Sequence, residues 1–283
     1  METLEKGPGI EKIETSIEGF DLISERGLPK GRTTLITGTS VSAKTVFAVQ
    51  FLSEGIIKKD EPGVFVTFEE PPEDIRKNVI FLGWDVAKWE QEGKWAFVDA
   101  SPIVGEDHVI AGEYDLGALP ARIEHAVHKI GAKRVSMDSL GAIFGRFSDS
   151  GLVRAELLKI AAAVEQMGVT AIITAERTQE VAGLFTSTTG ELMGGTSVTE
   201  AHIYTLTDTI ILLRYVEMFG EMRRGITALK MRGSMHDKEI REFNIDGQGM
   251  HIGKAFSNVT GILSGPPVFT SPAEVDRVKD LFK

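Results

Sequence analysis

The chain has 283 residues, a formal net charge of −10 and no cysteine. That length suits one large α/β domain or two small ones with a substantial core, and the missing thiols exclude disulfides and cysteine-ligated metal. The acidic balance argues against a large constitutive nucleic-acid surface. With neither an apolar leader nor a run of membrane-span length, the chain is expected to be cytoplasmic.

Residues 1–16 read as a polar lead-in, and Gly19 to Gly31 as a turn-rich approach to the first strand. An apolar run then ends at a glycine in T-T-L-I-T-Gly38-Thr39-Ser40-Val41-Ser42-Ala43-Lys44-Thr45. A strand, a short polar loop and a Lys-Thr that opens a helix match the layout of a P-loop. In such a loop the backbone N–H groups converge on phosphate oxygens, and the helix N-terminus adds partial positive charge. Lys44 is placed to reach the β- and γ-phosphates and Thr45 to hold Mg²⁺. Two residues depart from the pattern. Ala43 replaces the glycine before the lysine, at small cost if that position is already helical. Val41 is β-branched, so it must sit at negative φ or store strain. The alternative reading is an ordinary turn capped by Ser42.

A helix is expected from about Ala43 to Ile57. Val64 to Phe68 reads as a buried strand that stops at Glu69-Glu70-Pro71-Pro72, with a helix beginning near Glu73. Trp95 to Asp99 is a further strand. Helix 119–130 leads to strand Arg134 to Asp138, and helix 153–167 to strand Thr170 to Thr174. Strands alternating with helical patterns imply βαβ units and a parallel sheet. Three later runs, 209–215, 225–231 and 239–245, read as consecutive strands with short turns, an antiparallel extension of that sheet.

Asp138 ends an apolar strand, as a Mg²⁺-holding Walker-B aspartate does; an Asp capping the next turn is the bland alternative. Glu69 and Glu70 end a strand where a carboxylate can orient an attacking water or accept a proton. The segment 178–208 is rich in glycine and hydroxyls and too long for a routine connection. Alternation puts Lys230 and Arg232 on one strand face, where they can reach a phosphate or stand as solvated charges. Ser271 at N-cap, Pro272 at N1 and Glu274 at N3 mark a short helix in a 264–283 tail.

The chain resembles the KaiC family of circadian-clock ATPases, within the RecA-like P-loop superfamily. The resemblance rests on I-E-G-F-D, G-L-P-x-G-R, E-P-G-V-F-V-T-F-E-E and R-V-S-M-D-S in the first half. In the second it rests on T-E-A-H-I-Y-T-L-T-D-T-I-I-L-L, G-E-M, K-M-R-G-S-M-H-D-K and I-R-E-F. Clock KaiC has two homologous halves; this chain has one, and its later segments are most similar to the second, autokinase half.

The resemblance implies one RecA-like α/β domain over 17–263, with a mainly parallel sheet and an antiparallel C-terminal extension. It implies a hexameric ring with ATP and Mg²⁺ at subunit interfaces, and a KaiB-like protein partner. Gly38 to Thr45 and Asp138 would bind nucleotide and metal, and Glu69 and Glu70 match the family's catalytic glutamates. Lys230, Arg232 and His236 match residues that approach the nucleotide from the adjacent subunit. The adjacent Ser-Thr pair that the second half of KaiC phosphorylates is replaced by Tyr204 and Thr205, which leaves Thr205 as the matching hydroxyl. Two other readings stand beside this one: a RecA-type DNA recombinase using the 178–208 loop, and a nucleotide-responsive binding module that does not hydrolyse.

Overall fold

The computed structural model describes residues 10–101, 117–141, 150–176, 207–257, 259–262 and 268–269. Its central feature is a sheet of nine strands among the described residues. Six run parallel: β3 (Thr33–Gly38), β4 (Gly63–Thr67), β5 (Trp95–Asp99), β6 (Arg134–Asp138), β7 (Thr170–Glu176) and β8 (Thr209–Met218). Three more, β9 (Glu221–Met231), β10 (Arg241–Asp246) and β11 (Gly249–Ala255), extend it antiparallel beyond β8. The order across the sheet is β11-β10-β9-β8-β3-β7-β6-β4-β5.

Alternation along each strand divides the apolar residues between two faces. Ile36, Phe65, Ile172 and Leu213 pack with Phe47, Phe51 and Leu52 of helix α2 (Lys44–Lys59). On the opposite face Leu35, Val66, Val135 and Ile173 pack with α5 (Leu119–Ile130) and α6 (Ser150–Gln166), through Ile123, Leu157 and Val164. Two short helices, α3 (Pro72–Val79) and α4 (Val86–Gln91), lie between β4 and β5 and contribute Ile75 and Val86 to the α2 side. The result is three layers, helices on both faces of a mostly parallel sheet.

The expected elements are present, with shifted ends. The region read as turns holds a four-residue helix, α1 (Phe20–Ile23), and a strand, β2 (Leu28–Pro29), paired with β1 (Lys12–Ile13) inside the expected lead-in. Strand β11 was not anticipated. It pairs with β10 around the tight Gly247-Gln248 turn. The tail from 270, with its Ser271 helix signature, lies outside the described residues.

One buried cation ties these layers together. Arg134 at the start of β6 is fully buried and donates to the Glu61 carboxylate (2.7 Å), the Phe51 carbonyl (2.9 Å) and the Glu14 carbonyl (2.8 Å). Its guanidinium lies 4.7 Å from the Phe51 ring centroid. Gly55 on α2 makes room, because a Cβ there would stand 2.5 Å from Arg134 Nε. Two residues on, Ser136 donates to the Ala48 carbonyl (2.8 Å). The α2-facing side of β6 is therefore polar throughout, and Asp138 is its next member.

Arg134→Ala should strip three acceptors of their donor and cost about 3–5 kcal/mol, the usual penalty for breaking a buried ion pair. Thermal unfolding checks this: the midpoint should fall by several degrees. An unchanged midpoint would remove Arg134 from its place as the joint between β6, α2 and the N-terminal segment.

Candidate active site

In a parallel sheet all strands end on one edge, and the loops leaving that edge build sites. Gly38 of β3 stands level with Glu176 of β7 on one side and Leu213 of β8 on the other. Thr67 of β4 pairs with Asp138 of β6, and Phe68 N–H reaches the Asp138 carbonyl at 2.9 Å. The loop after Gly38, the Glu69-Glu70 turn, Asp138 and Glu176 consequently open on the same edge.

The loop is wound tightly. A Cβ at Gly38 would meet the Leu213 carbonyl oxygen at 2.3 Å and Ser42 Oγ at 2.5 Å, so no larger residue fits. Val41 has φ 57° and Ala43 φ 71°, while Ser42 between them is not in the left-handed region. Of the two alternatives the sequence left for Val41 the strained one is found, and the helical backbone that would make Ala43 cheap is not: both are left-handed, and Ala43 is the N-cap of α2. Left-handed residues in such a turn are of the kind that builds an anion-binding nest; the Ser42 N–H itself is taken by the Thr39 carbonyl at 3.3 Å. That geometry explains why two non-glycine residues hold positions costing about 1–2 kcal/mol each. Val41 itself projects into solvent.

Ser42 does not cap the helix, which has no side-chain cap; its hydroxyl is buried without a partner. A buried unpaired hydroxyl inside such a nest fits a site built for a polar guest better than an ordinary turn. Lys44 folds back over the loop, its Nζ donating to the Gly38 (3.2 Å) and Thr39 (2.8 Å) carbonyls. Thr45 Oγ1 donates to Asp138 Oδ2 at 2.6 Å, across 93 residues of sequence. The other carboxylate oxygen, Oδ1, accepts from Thr174 on β7.

Three carboxylates surround a single cation in this cluster. Burial lowers the Lys44 pKa, opposed by Glu176, Asp138 and Glu69. Burial raises Asp138, against hydrogen bonds from Thr174 and Thr45. Glu69 is pushed up by burial and by Asp138 and Glu176, with a hydrogen bond from Ser139 pulling the other way. The two glutamates read as a pair in sequence part company here. Both feel the Asp138 charge, but Ser139 gives a hydrogen bond to Glu69, whereas Asn78 of α3 holds the Glu70 carboxylate.

The late basic residues lie elsewhere. Lys230 donates to the Thr207 carbonyl (2.6 Å), and Arg232 stands 3.8 Å from Asp208. Arg232 N–H bonds Asp208, whose own N–H bonds Thr33, so Arg232 is level with the start of β3. From Thr33 to Gly38 is about 16 Å at 3.3 Å per residue. These cations share a neighbourhood, as expected, but at the opposite edge from the chain's own loop. His236 follows in the same turn region, partly exposed. Tyr204 and Thr205 lie outside the described residues.

Sequence reading missed Thr174 and Glu176. Their signal was alternation: Ile172, Thr174 and Glu176 share the α2 face, with the two polar members at the strand's end. It also missed Arg224, whose guanidinium stacks on Tyr215 (5.3 Å) beyond the Gly38–Leu213 pair.

The family model for the KaiC ATPase matches residues 13–257. The chain belongs to the KaiC family. Circadian clock protein KaiC3 of a Synechocystis species is 37% identical, with 97% of this chain and 98% of that protein covered; the 495 residues matched exceed this chain's 283, so the chain matches that protein more than once. The KaiC clock oscillator proteins of a Nostoc species and of Synechococcus elongatus are each 43% identical, over 87% and 86% of this chain. Those matches cover 45% and 44% of the two oscillator proteins, so the chain spans about half their length. The KaiC family is one of ATPases with clock-related members, and the loop and Asp138 described above fall inside its matched region.

Ala43→Gly should relieve left-handed strain and raise stability by about 1 kcal/mol or less, since glycine's extra unfolded-state entropy takes back part of the gain. Denaturant unfolding measures it. Destabilisation would mean that the methyl group contributes packing that outweighs the strain.

Proposed function

We propose that this KaiC-family chain binds Mg·ATP in the loop Gly38, Thr39, Ser40, Val41, Ser42, Ala43, Lys44, Thr45 and hydrolyses it slowly. The observation that carries the proposal is the Thr45–Asp138 hydrogen bond beside a left-handed nest over which Lys44 is folded. Thr45 and Asp138 are the residues that would hold Mg²⁺: a hydroxyl and a carboxylate are the hard oxygen donors that ion takes. The metal would neutralise charge on the transferring phosphate. Lys44 contributes a cation to the same anion, and the loop amides orient it.

Glu69 is the carboxylate assigned to the attacking water. Its carboxylate is exposed, so a water can reach it, and it lies within electrostatic reach of Lys44, Asp138 and Glu176, as a water-orienting group requires. Glu70 is read as a positioning residue that fastens the turn to α3. Lys230, Arg232 and His236 are assigned to the nucleotide of an adjacent subunit, a reading supported by their distance from the chain's own loop. A homo-oligomeric ring follows, a hexamer by family resemblance. That resemblance is also the ground for autophosphorylation at Thr205, with Tyr204 the weaker acceptor, for a KaiB-like partner and for a cytoplasmic clock-related role. Among the described residues no helix is long and apolar enough to cross a membrane.

Separate substitutions test the assignment. Glu69→Gln should lower ADP production by about 10²-fold or more, in the range for loss of a positioned base, with ATP binding retained. Glu70→Gln should lower it much less. Equal losses, or a larger loss for Glu70, would overturn the division of roles; no turnover by the unsubstituted chain with Mg·ATP would leave a binding module.

A further inference from the structure

A carboxylate that holds a metal offers one oxygen to the ion, and the other needs an independent hold if the group is to keep its aim. Asp138 has a hydrogen bond on each oxygen, from Thr45 on Oδ2 and from Thr174 on Oδ1. The two donors are not equivalent. Thr45 opens α2 and is itself assigned to the metal, so its hydroxyl has two claims on it. Thr174 sits inside β7, fully buried, and its own carbonyl accepts from Leu140 N–H at 3.0 Å, just past Asp138. It is fixed by the sheet on one side and by the post-Asp138 turn on the other.

This pairing is not compulsory for a buried strand threonine in this fold. Thr34 and Thr209 have buried hydroxyls that find no partner, so Thr174 does not bond Asp138 merely because every hydroxyl must. Parity agrees: Thr174 shares its face with Ile172, which packs on the α2 side, the side to which Arg134, Ser136 and Asp138 of β6 all point.

We propose that Thr174 is a positioning residue for Mg²⁺: it anchors Asp138 through Oδ1 so that the paired Asp138 Oδ2 and Thr45 hydroxyl keep their place for the ion. The inference rests on the Mg·ATP reading above. Thr174 touches neither nucleotide nor metal, so its removal should act on the metal requirement and not on the phosphate nest.

The test measures binding of a fluorescent ATP analogue to the full chain as MgCl₂ is titrated, and again with excess chelator. Thr174→Val keeps the shape and removes the hydroxyl; Thr174→Ala removes both; Thr174→Ser keeps the hydroxyl. Val and Ala should raise the half-saturating Mg²⁺ concentration by about 10-fold or more, the usual cost of losing a partner that orients a metal ligand. Ser should stay close to the unsubstituted chain, and metal-free binding should be alike in all four. Should Val fail to fold, the Ser–Ala contrast carries the same comparison. An unchanged Mg²⁺ requirement in the hydroxyl-free variants would overturn the proposal while leaving nucleotide binding intact. So would equal losses with and without Mg²⁺, which would mark a structural defect. If the unsubstituted chain binds no nucleotide under either condition, the Mg·ATP reading itself falls, and this inference with it.

Discussion

The direction of the strands decides what this domain can do. Six parallel strands deliver their C-terminal ends to one edge, and Gly38, the Glu69 turn, Asp138 and Glu176 arrive there by register alone. No long-range recognition between those residues is needed; the ladder that pairs Thr67 with Asp138 and Gly38 with Glu176 brings them together. The antiparallel partner of β8 then reverses the sense. Strand β9 carries its C-terminal basic residues to the opposite edge, where Lys230 and Arg232 meet Thr207 and Asp208. One sheet thus separates the proposed phosphate loop from Lys230 and Arg232 by about the length of a strand. Such a separation makes sense when copies stack edge to edge, each lending its cations to the next.

Within the site, strain and burial serve a common end. Left-handed backbone at Val41 and Ala43 is costly without glycine, yet it is the backbone form from which anion-binding nests are built. The buried, unpartnered Ser42 hydroxyl has the same sense: the loop gives up local satisfaction for a surface that an anion can fill. Carboxylates crowd Lys44 on the sheet side, so a polyphosphate entering alone would meet repulsion from Glu69, Asp138 and Glu176. Under the proposed Mg·ATP reading a divalent cation would relieve that conflict, with Thr45 and Thr174 holding the Asp138 carboxylate in place.

Much of this was legible in the chain before any coordinates. Apolar runs of five or six residues bounded by Gly, Pro or Asp marked the parallel strands, and β5 and β6 have the expected limits. Lys44-Thr45 and Asp138 were identifiable because spacing and strand-end position carry their meaning. What stayed hidden had physical causes. The φ values of Val41 and Ala43 contradict intrinsic preference, so a local rule could name the strain but not choose it. Glu69 and Glu70 look interchangeable in sequence, and it takes Ser139 beside one and Asn78 on α3 beside the other to separate them. Thr174 resembled any strand threonine, since its significance depends on which strand lies beside it. β11 was missed because Met250 and Ile252 alternate over too short a run to stand out.

The central claim is that a complete site joins the loop of one subunit to the late cations of another. Mixing subunits tests it most directly. Arg232→Ala subunits keep an intact nest and Glu69, and Glu69→Gln subunits keep an intact Arg232; each homogeneous assembly should be nearly inactive. In mixed rings, verified by native mass spectrometry, interfaces that join the intact nest to the intact arginine should restore a measurable fraction of ADP production. No recovery in confirmed mixed rings, or full activity from an isolated monomer, would contradict the account.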